Sequence, residues 1–235
     1  MGGSLSGAPT LPAPPAAILP IVLQLTTVEV KQLWWFLDGA IMSPEARHRL
    51  WAAWGFCPRH TWAHFTCELE LRALPRGTII LYEDLLGRAA RPARNWVGQL
   101  RTTGPCLTCD YLAVGDATRD EQGWAEETAV VNRHERTLTL LQECQVHWEP
   151  RTCPACLGGA GMICRPHLLE DGGKPTDRDA ILATLNDLRR RVEGTGAAIS
   201  WPRRTVLPRE WAAVVETLGW FAGWDGLRAI LPARH

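Results

Sequence analysis

Gly55-Phe56-Cys57-Pro58-Arg59-His60-Thr61-Trp62-Ala63-His64-Phe65 places a cysteine and a histidine three residues apart, around a proline, at the head of an apolar stretch. Proline suits the first helical position, where its φ is preset and it has no N–H to lose. The segment therefore reads as a helix from about Pro58 to Leu71 with Cys57 at its N-terminal end. There the helix dipole and the free backbone amides favour a thiolate, and with it metal ligation. Three more pairs share this spacing: Cys106-Leu107-Thr108-Cys109, Cys153-Pro154-Ala155-Cys156 and Cys164-Arg165-Pro166-His167.

Two Cys-x-x-Cys and two Cys-x-x-His pairs supply eight ligands, Cys57, His60, Cys106, Cys109, Cys153, Cys156, Cys164 and His167, enough for two Cys3His sites. Structural zinc takes four nitrogen or sulfur ligands tetrahedrally, and a two-residue gap lets both members of a pair turn toward one ion. The expectation is two zinc ions, with an iron-sulfur cluster as the alternative, because Cys-x-x-Cys pairs serve both. Neighbour closure would join Cys57 and His60 to Cys106 and Cys109, leaving Cys153, Cys156, Cys164 and His167 together. Crossed closure would join Cys106 and Cys109 to Cys164 and His167, and Cys57 and His60 to Cys153 and Cys156. Spacing alone leaves both open. Cys67 and Cys144 have no partner at short range and read as small buried hydrophobes.

Clustered thiols mean metal or redox chemistry where the compartment is reducing. No segment reaches the roughly 18 to 20 apolar residues of a membrane span. The opening, rich in proline and alanine from Ala8 to Pro15, lacks the cationic start of a secretory signal. The expectation is a cytoplasmic protein with a flexible leader over about residues 1–25. The Gly2 and Ser6 myristoylation pattern is set aside, because the source reads as bacterial: only Lys31 and Lys174 of 25 cations are lysine, the usage of a GC-rich genome. With 25 Lys+Arg against 25 Asp+Glu the net charge is zero, so no broad basic field is available for nucleic acid.

The fold class is all-α. Thr26-Thr27-Val28-Glu29 has the capping-box form and opens an apolar helical run. Ser43-Pro44-Glu45 announces a second helix, with Gly55 where a stop belongs. Further helices are expected at Thr78 to Arg88, Ala93 to Leu100, Ala125 to Gln145 and Thr176 to about Arg191, with a last helix or pair of helices over Pro208 to Ala229, while Cys153 to Cys164 is glycine-rich and irregular. Alternating β-branched strand patterns are nearly absent.

The run Gly55 to Trp62, then Ile80-Leu81-Tyr82-Glu83-Asp84-Leu85-Leu86, Cys106-x-x-Cys109, Cys164-x-x-His167-Leu168 and a closing helix at Trp211 to Gly223 resembles the bacterial domain-of-unknown-function family numbered 6062, over roughly residues 26–223. The resemblance implies duplicated helical units, each with a Cys-x-x-Cys upstream of a Cys-x-x-His. Applied here, it implies one metal-binding domain at about residues 26–235 with units at about 26–103 and 104–235. It also implies the crossed pairing of Cys106 and Cys109 with Cys164 and His167. The chain departs from the family in its first unit, where Leu23 to Thr27 supplies no opening Cys-x-x-Cys, and Cys153 with Cys156 would stand in. No reaction comes with the family.

Other candidates have ordinary readings. His134 with Glu126, Glu127 and Glu135 fits a solvated helix face, and Glu45 with His48 is the only Glu-x-x-His pair, too few for a di-iron bundle. Tyr82, Glu83 and Asp84 fit capping or surface roles, and His64, one turn after His60, is a possible support or alternative ligand. Twelve tryptophans, paired at helical spacing as Trp51 with Trp54 and Trp220 with Trp224, suggest a core of large rings or an aromatic-lined pocket. Arg189-Arg190-Arg191 at a helix C-terminus and Arg203-Arg204 form the main cation clusters. Three function classes follow: an interaction or regulatory module with structural zinc, binding a protein partner or an apolar small ligand; an enzyme with a tryptophan-rich pocket that uses Glu83, Asp84 or His64; and a thiol/zinc redox sensor centred on Cys153 and Cys156.

Overall fold

The computed structural model describes residues 23–114, 122–170, 178–201 and 203–231. Among these every regular element is helical. In chain order they are α1 (Thr27–Asp38), α2 (Pro44–Ala53), α3 (Pro58–Arg72), α4 (Arg76–Ala89), α5 (Trp96–Gln99), α6 (Leu107–Val114), α7 (Ala125–Val131), α8 (Glu135–Glu143), α9 (Gln145–Trp148), α10 (Pro154–Leu157), α11 (Arg165–Glu170), α12 (Arg178–Ile199), α13 (Pro208–Ala222) and α14 (Asp225–Arg228), with short 3-10 turns between some of them. The expected leader and its myristoylation pattern lie almost wholly outside the described residues, as do Thr176 and Asp177, where the sequence places the start of a helix.

α3 is the hub. Every residue from His60 to Glu70 is buried, as expected of a helix covered on all sides, and α3 packs against α1, α4, α7, α8, α13 and α14. Trp62 and Phe65 have no exposed surface; each such ring contributes roughly 1.5–3 kcal/mol by leaving water. Two carboxylates on this buried helix cap its neighbours. Glu68 accepts the N–H groups of Gly77 (2.5 Å) and Thr78 (2.8 Å) at the start of α4. Glu70 accepts the N–H and hydroxyl of Thr137, both at 2.8 Å, in the first turn of α8. A carboxylate at a helix N-terminus satisfies orphan amides and meets the positive end of the dipole, so these buried charges are matched by donors.

The capping box at Thr26 is present: Glu29 N–H donates to Thr26 Oγ1 (3.2 Å) and Thr26 N–H to Glu29 Oε2 (2.8 Å). Ser43 caps α2. Cys67 and Cys144 are fully buried, as their apolar settings suggest.

Three expected helices differ. The segment from Ala93 shrinks to the single turn α5, because the Asn95 side chain accepts the Gly98 N–H (3.2 Å) and starts the helix there. The run from Ala125 to Gln145 breaks into α7, α8 and α9. Asn132 spends its amide on the Leu25 backbone, accepting from Leu25 N–H (2.8 Å) and donating to Leu25 C=O (2.9 Å), and His134 turns left-handed at φ 59. His134 is accordingly buried rather than on a solvated face. α12 passes Arg191 and runs to Ile199 through Gly194 and Gly196; a Cβ on Gly196 would lie 3.1 Å from Ile79 Cγ2 of α4, so the glycine permits close packing. The closing run is a pair of helices, one of the two expected forms, divided at Gly223 (φ 79) into α13 and α14. Trp220 and Trp224 therefore do not share a helix face. Trp224 folds back on α13, where a Cβ on Gly219 would overlap its ring at 2.3 Å, and stacks on Trp148 with centroids 5.8 Å apart.

Two candidate metal centres

All four ligand pairs adopt one local geometry. Cys57 is the N-cap of α3 with His60 in its first turn, and Cys153 is the N-cap of the short α10, which also carries Cys156. Cys106 and Cys164 directly precede α6 and α11, their carbonyls accepting Asp110 N–H and Leu168 N–H at 2.9 Å, with Cys109 and His167 in those helices. The dipole argument made for Cys57 thus extends to Cys106 at the head of α6.

The pairs close between sequence neighbours. Cys57, His60, Cys106 and Cys109 form the first cluster and Cys153, Cys156, Cys164 and His167 the second, the donor atoms of each lying within 4.8 Å of one another. The crossed pairing implied by the family resemblance is overturned. α6 packs on α1 and α2, which brings Cys106 and Cys109 to the head of α3, whereas α11 packs on α13.

In the first cluster His60 Nδ1 lies 3.3 Å from Cys57 Sγ, 3.6 Å from Cys106 Sγ and 3.3 Å from Cys109 Sγ, and the Cys57 and Cys109 sulfurs are 3.7 Å apart. In the second, His167 Nδ1 lies 3.7, 3.3 and 3.2 Å from the sulfurs of Cys153, Cys156 and Cys164, and Cys156 and Cys164 are 3.6 Å apart. A tetrahedral ion with bonds of about 2.3 Å to sulfur and about 2.0–2.1 Å to nitrogen sets edges of roughly 3.8 Å between sulfurs and roughly 3.6 Å between sulfur and nitrogen. The clusters match those edges. All eight cysteines are free, and the sulfur separations far exceed the roughly 2.05 Å of a disulfide. Each cluster could hold one metal ion.

The surroundings differ. His60 is buried, and its Nε2 faces Glu29 Oε1 at 3.2 Å. Arg59 donates from Nε to the same oxygen (2.9 Å) and from a terminal nitrogen to the Gln24 carbonyl (2.6 Å). Burial pushes the Glu29 carboxyl up, but hydrogen bonds from His60, Arg59 and the Thr26 amide outweigh it and hold the acid well below its usual range. The contact with Cys57 and the hydrogen bond from His60 overcome burial and hold Cys106 near 3, well below an ordinary thiol. Cys57 moves up beside that thiolate. In the second cluster, burial opposes ionisation of Cys153, yet the amides of Cys164, Cys156 and Ala155 lower it. Among the described residues, His167 Nε2 faces only the exposed Glu170, at 3.9 Å. Anchoring there is by arginine: Arg165 is buried and donates to the carbonyls of Phe221 (3.2 Å) and Leu100 (2.8 Å), and Arg228 donates to the Cys156 carbonyl (2.5 Å).

Glu29 was legible only as a capping residue, since nothing local in the sequence pairs it with a histidine 31 positions on. His64 joins neither cluster: its ring stacks on Phe56 with centroids 5.0 Å apart and its Nδ1 meets Thr78 Oγ1 at 3.1 Å. Nor does it join Glu83 and Asp84, which line a separate cleft of about 540 Å³. There Asp84 accepts the Trp51 indole N–H (2.6 Å) and sits 3.6 Å from both Arg47 and Arg88. Tyr82 is buried against Thr61 Oγ1 (2.9 Å). Three of the five clustered arginines pair with carboxylates: Arg191 holds Glu216 with two nitrogens (2.8 and 2.9 Å), Arg204 holds Glu210 (2.8 and 2.5 Å) and Arg190 meets Asp187 (3.1 Å). Trp54, Trp62, Trp96, Trp148, Trp220 and Trp224 are buried core rings. No described helix is long and apolar enough to cross a membrane.

No protein-family model matches the chain, and comparisons with curated proteins and with solved structures found no match.

Proposed function

We propose that this chain is a cytoplasmic interaction or regulatory module whose two Cys3His clusters hold structural zinc ions. The observation that carries the reading is that each cluster presents four protein donors at the edge lengths of one tetrahedral ion. A catalytic zinc keeps a position open for water; here four side chains fill the sphere. Three thiolates with one imidazole suit zinc. A multinuclear iron-sulfur cluster spreads its ligands over several irons and needs a wider ring than these donors make. The zinc ions would fasten α3 to α6, and α10 to α11.

Elemental analysis and an absorption spectrum of protein purified without oxygen test this. Two zinc ions per chain and no visible absorption are expected. Stoichiometric iron with visible absorption would overturn the zinc assignment.

A thiol redox role has one observation in its favour, and it moves the sensor from Cys153 and Cys156 to the first centre. Cys109 is exposed, whereas Cys153 and Cys156 are buried, so an oxidant would reach Cys109 first. Zinc release by peroxide, followed by mapping of the oxidised cysteines, distinguishes this sensor from a purely structural site.

A further inference from the structure

α1, α2 and α6 enclose a cleft of about 470 Å³ whose apolar wall is Trp35, Leu107, Tyr111 and Val114 and whose polar lining is Lys31, Gln32, Arg49 and Asp110. Its size falls within the range of small-molecule sites, roughly 300–1,000 Å³, which are mostly apolar with a few placed polar groups. Three of its lining residues are apolar side chains left in water: Trp35 is 61% exposed, Tyr111 50% and Val114 84%. They face one cleft from two helices, Trp35 from α1 and Tyr111 and Val114 from α6, so an apolar ligand body would meet a wall on each side.

The polar groups define the head of the ligand. Arg49 donates one terminal nitrogen to Asp110 Oδ2 (2.5 Å), and its other donors have no protein partner among the described residues. A guanidinium offers five N–H donors in a planar fork that matches a carboxylate. Gln32 accepts the Thr108 hydroxyl on its amide oxygen (2.7 Å), and its NH2 also has no protein partner among the described residues. Both groups therefore have hydrogen-bond donors to spare.

We infer that the cleft between α1, α2 and α6 binds a small amphipathic monocarboxylate, its apolar body between Trp35, Tyr111, Leu107 and Val114 and its carboxylate on the spare donors of Arg49. This deepens the interaction-module reading and rests on it: Cys109 and Asp110 are adjacent on α6, so the first metal centre fixes the wall that carries Asp110 and Tyr111.

The test is titration of the full, metal-loaded chain with 4-phenylbutyrate, 4-phenylbutan-1-ol and 4-phenylbutylamine. Binding is read from the Trp35 indole N–H resonance, assigned with Trp35→Phe, and by calorimetry. The carboxylate should bind saturably at one site, at least about tenfold tighter than the alcohol or the amine. Trp35→Ala and Tyr111→Ala should each weaken it about tenfold or more, and Trp201→Ala should leave it unchanged. Arg49→Gln should abolish the preference for the carboxylate over the alcohol. Asp110→Asn, which frees Arg49 without removing it, should keep or strengthen carboxylate binding and so separates ligand contact from loss of the ion pair. Absence of a saturable shift, or equal binding of alcohol and carboxylate, overturns the inference. Metal content is measured on the same samples. Two zinc ions without binding sinks the cleft alone, and binding without zinc sinks the metal reading alone.

Discussion

Glu29 Oε1 lies 3.2 Å from His60 Nε2 while Glu29 Oε2 accepts the Thr26 N–H at 2.8 Å, so one carboxylate supports a candidate metal ligand and caps α1. With Nδ1 turned to the three sulfurs, Nε2 carries the proton and donates it to Glu29. A carboxylate behind a ligating imidazole fixes its tautomer and orientation, and its loss costs about 10–100-fold in metal affinity. Glu29→Gln should therefore lower zinc affinity at the first centre by about that factor and leave the second unchanged, measured by competition with a chromophoric chelator. Equal affinity at both centres before and after the substitution would show that Glu29 serves only as a cap.

The two centres should also lose metal at different rates. Cys109 is exposed, whereas Cys153, Cys156 and Cys164 are all buried. A chelator in excess should remove zinc in two phases, and the fast phase should free Cys57, Cys106 and Cys109 for alkylation. Mass spectrometry of the alkylated peptides checks the order; a fast phase at Cys153 to Cys164 would contradict it.

The candidate ligands were legible because the spacing that suits a metal site is short: each pair is one residue at the head of a helix and one residue a turn later, and both can be read locally. The helical class was legible for the same reason, from Thr26 with Glu29 and from Ser43 with Pro44. What stayed hidden depends on distant contacts. The break at His134 follows from Asn132 bonding Leu25, 107 residues away, and the length of α12 follows from its packing on α4. Neighbour closure of the clusters depends on where α6 docks, which no spacing records.

Glu70 offers a test of the hub. It receives the Thr137 N–H and hydroxyl at 2.8 Å from a buried position on α3. Glu70→Ala removes the acceptor and leaves buried donors unpaired, a cost of about 1–3 kcal/mol. Urea unfolding should show a lower midpoint with little change in slope, and amide exchange should rise in α8 first. A loss of protection starting in α1 would place the cap's influence elsewhere.

Acid sensitivity should come in part from His64. Thr78 Oγ1 donates to Glu68 Oε2 (2.8 Å), so it accepts from His64 Nδ1–H (3.1 Å), and Nε2 is left as a buried lone pair without a partner among the described residues. Burial holds the imidazole pKa down to about 3, against 6.5 when unfolded. Between those values the unfolded chain binds a proton that the folded chain refuses. This contribution to stability is therefore fully present above about pH 6.5 and is lost as pH falls toward 3, at up to about 1.4 kcal/mol per pH unit. Metal ligands protonate in the same range, so the comparison is between wild type and His64→Phe at matched metal content. Denaturant midpoints between pH 4 and 6 should fall less steeply for His64→Phe, whose ring can keep the contact with Phe56 without a titrating nitrogen. Parallel slopes would mean that the acid loss comes from other groups.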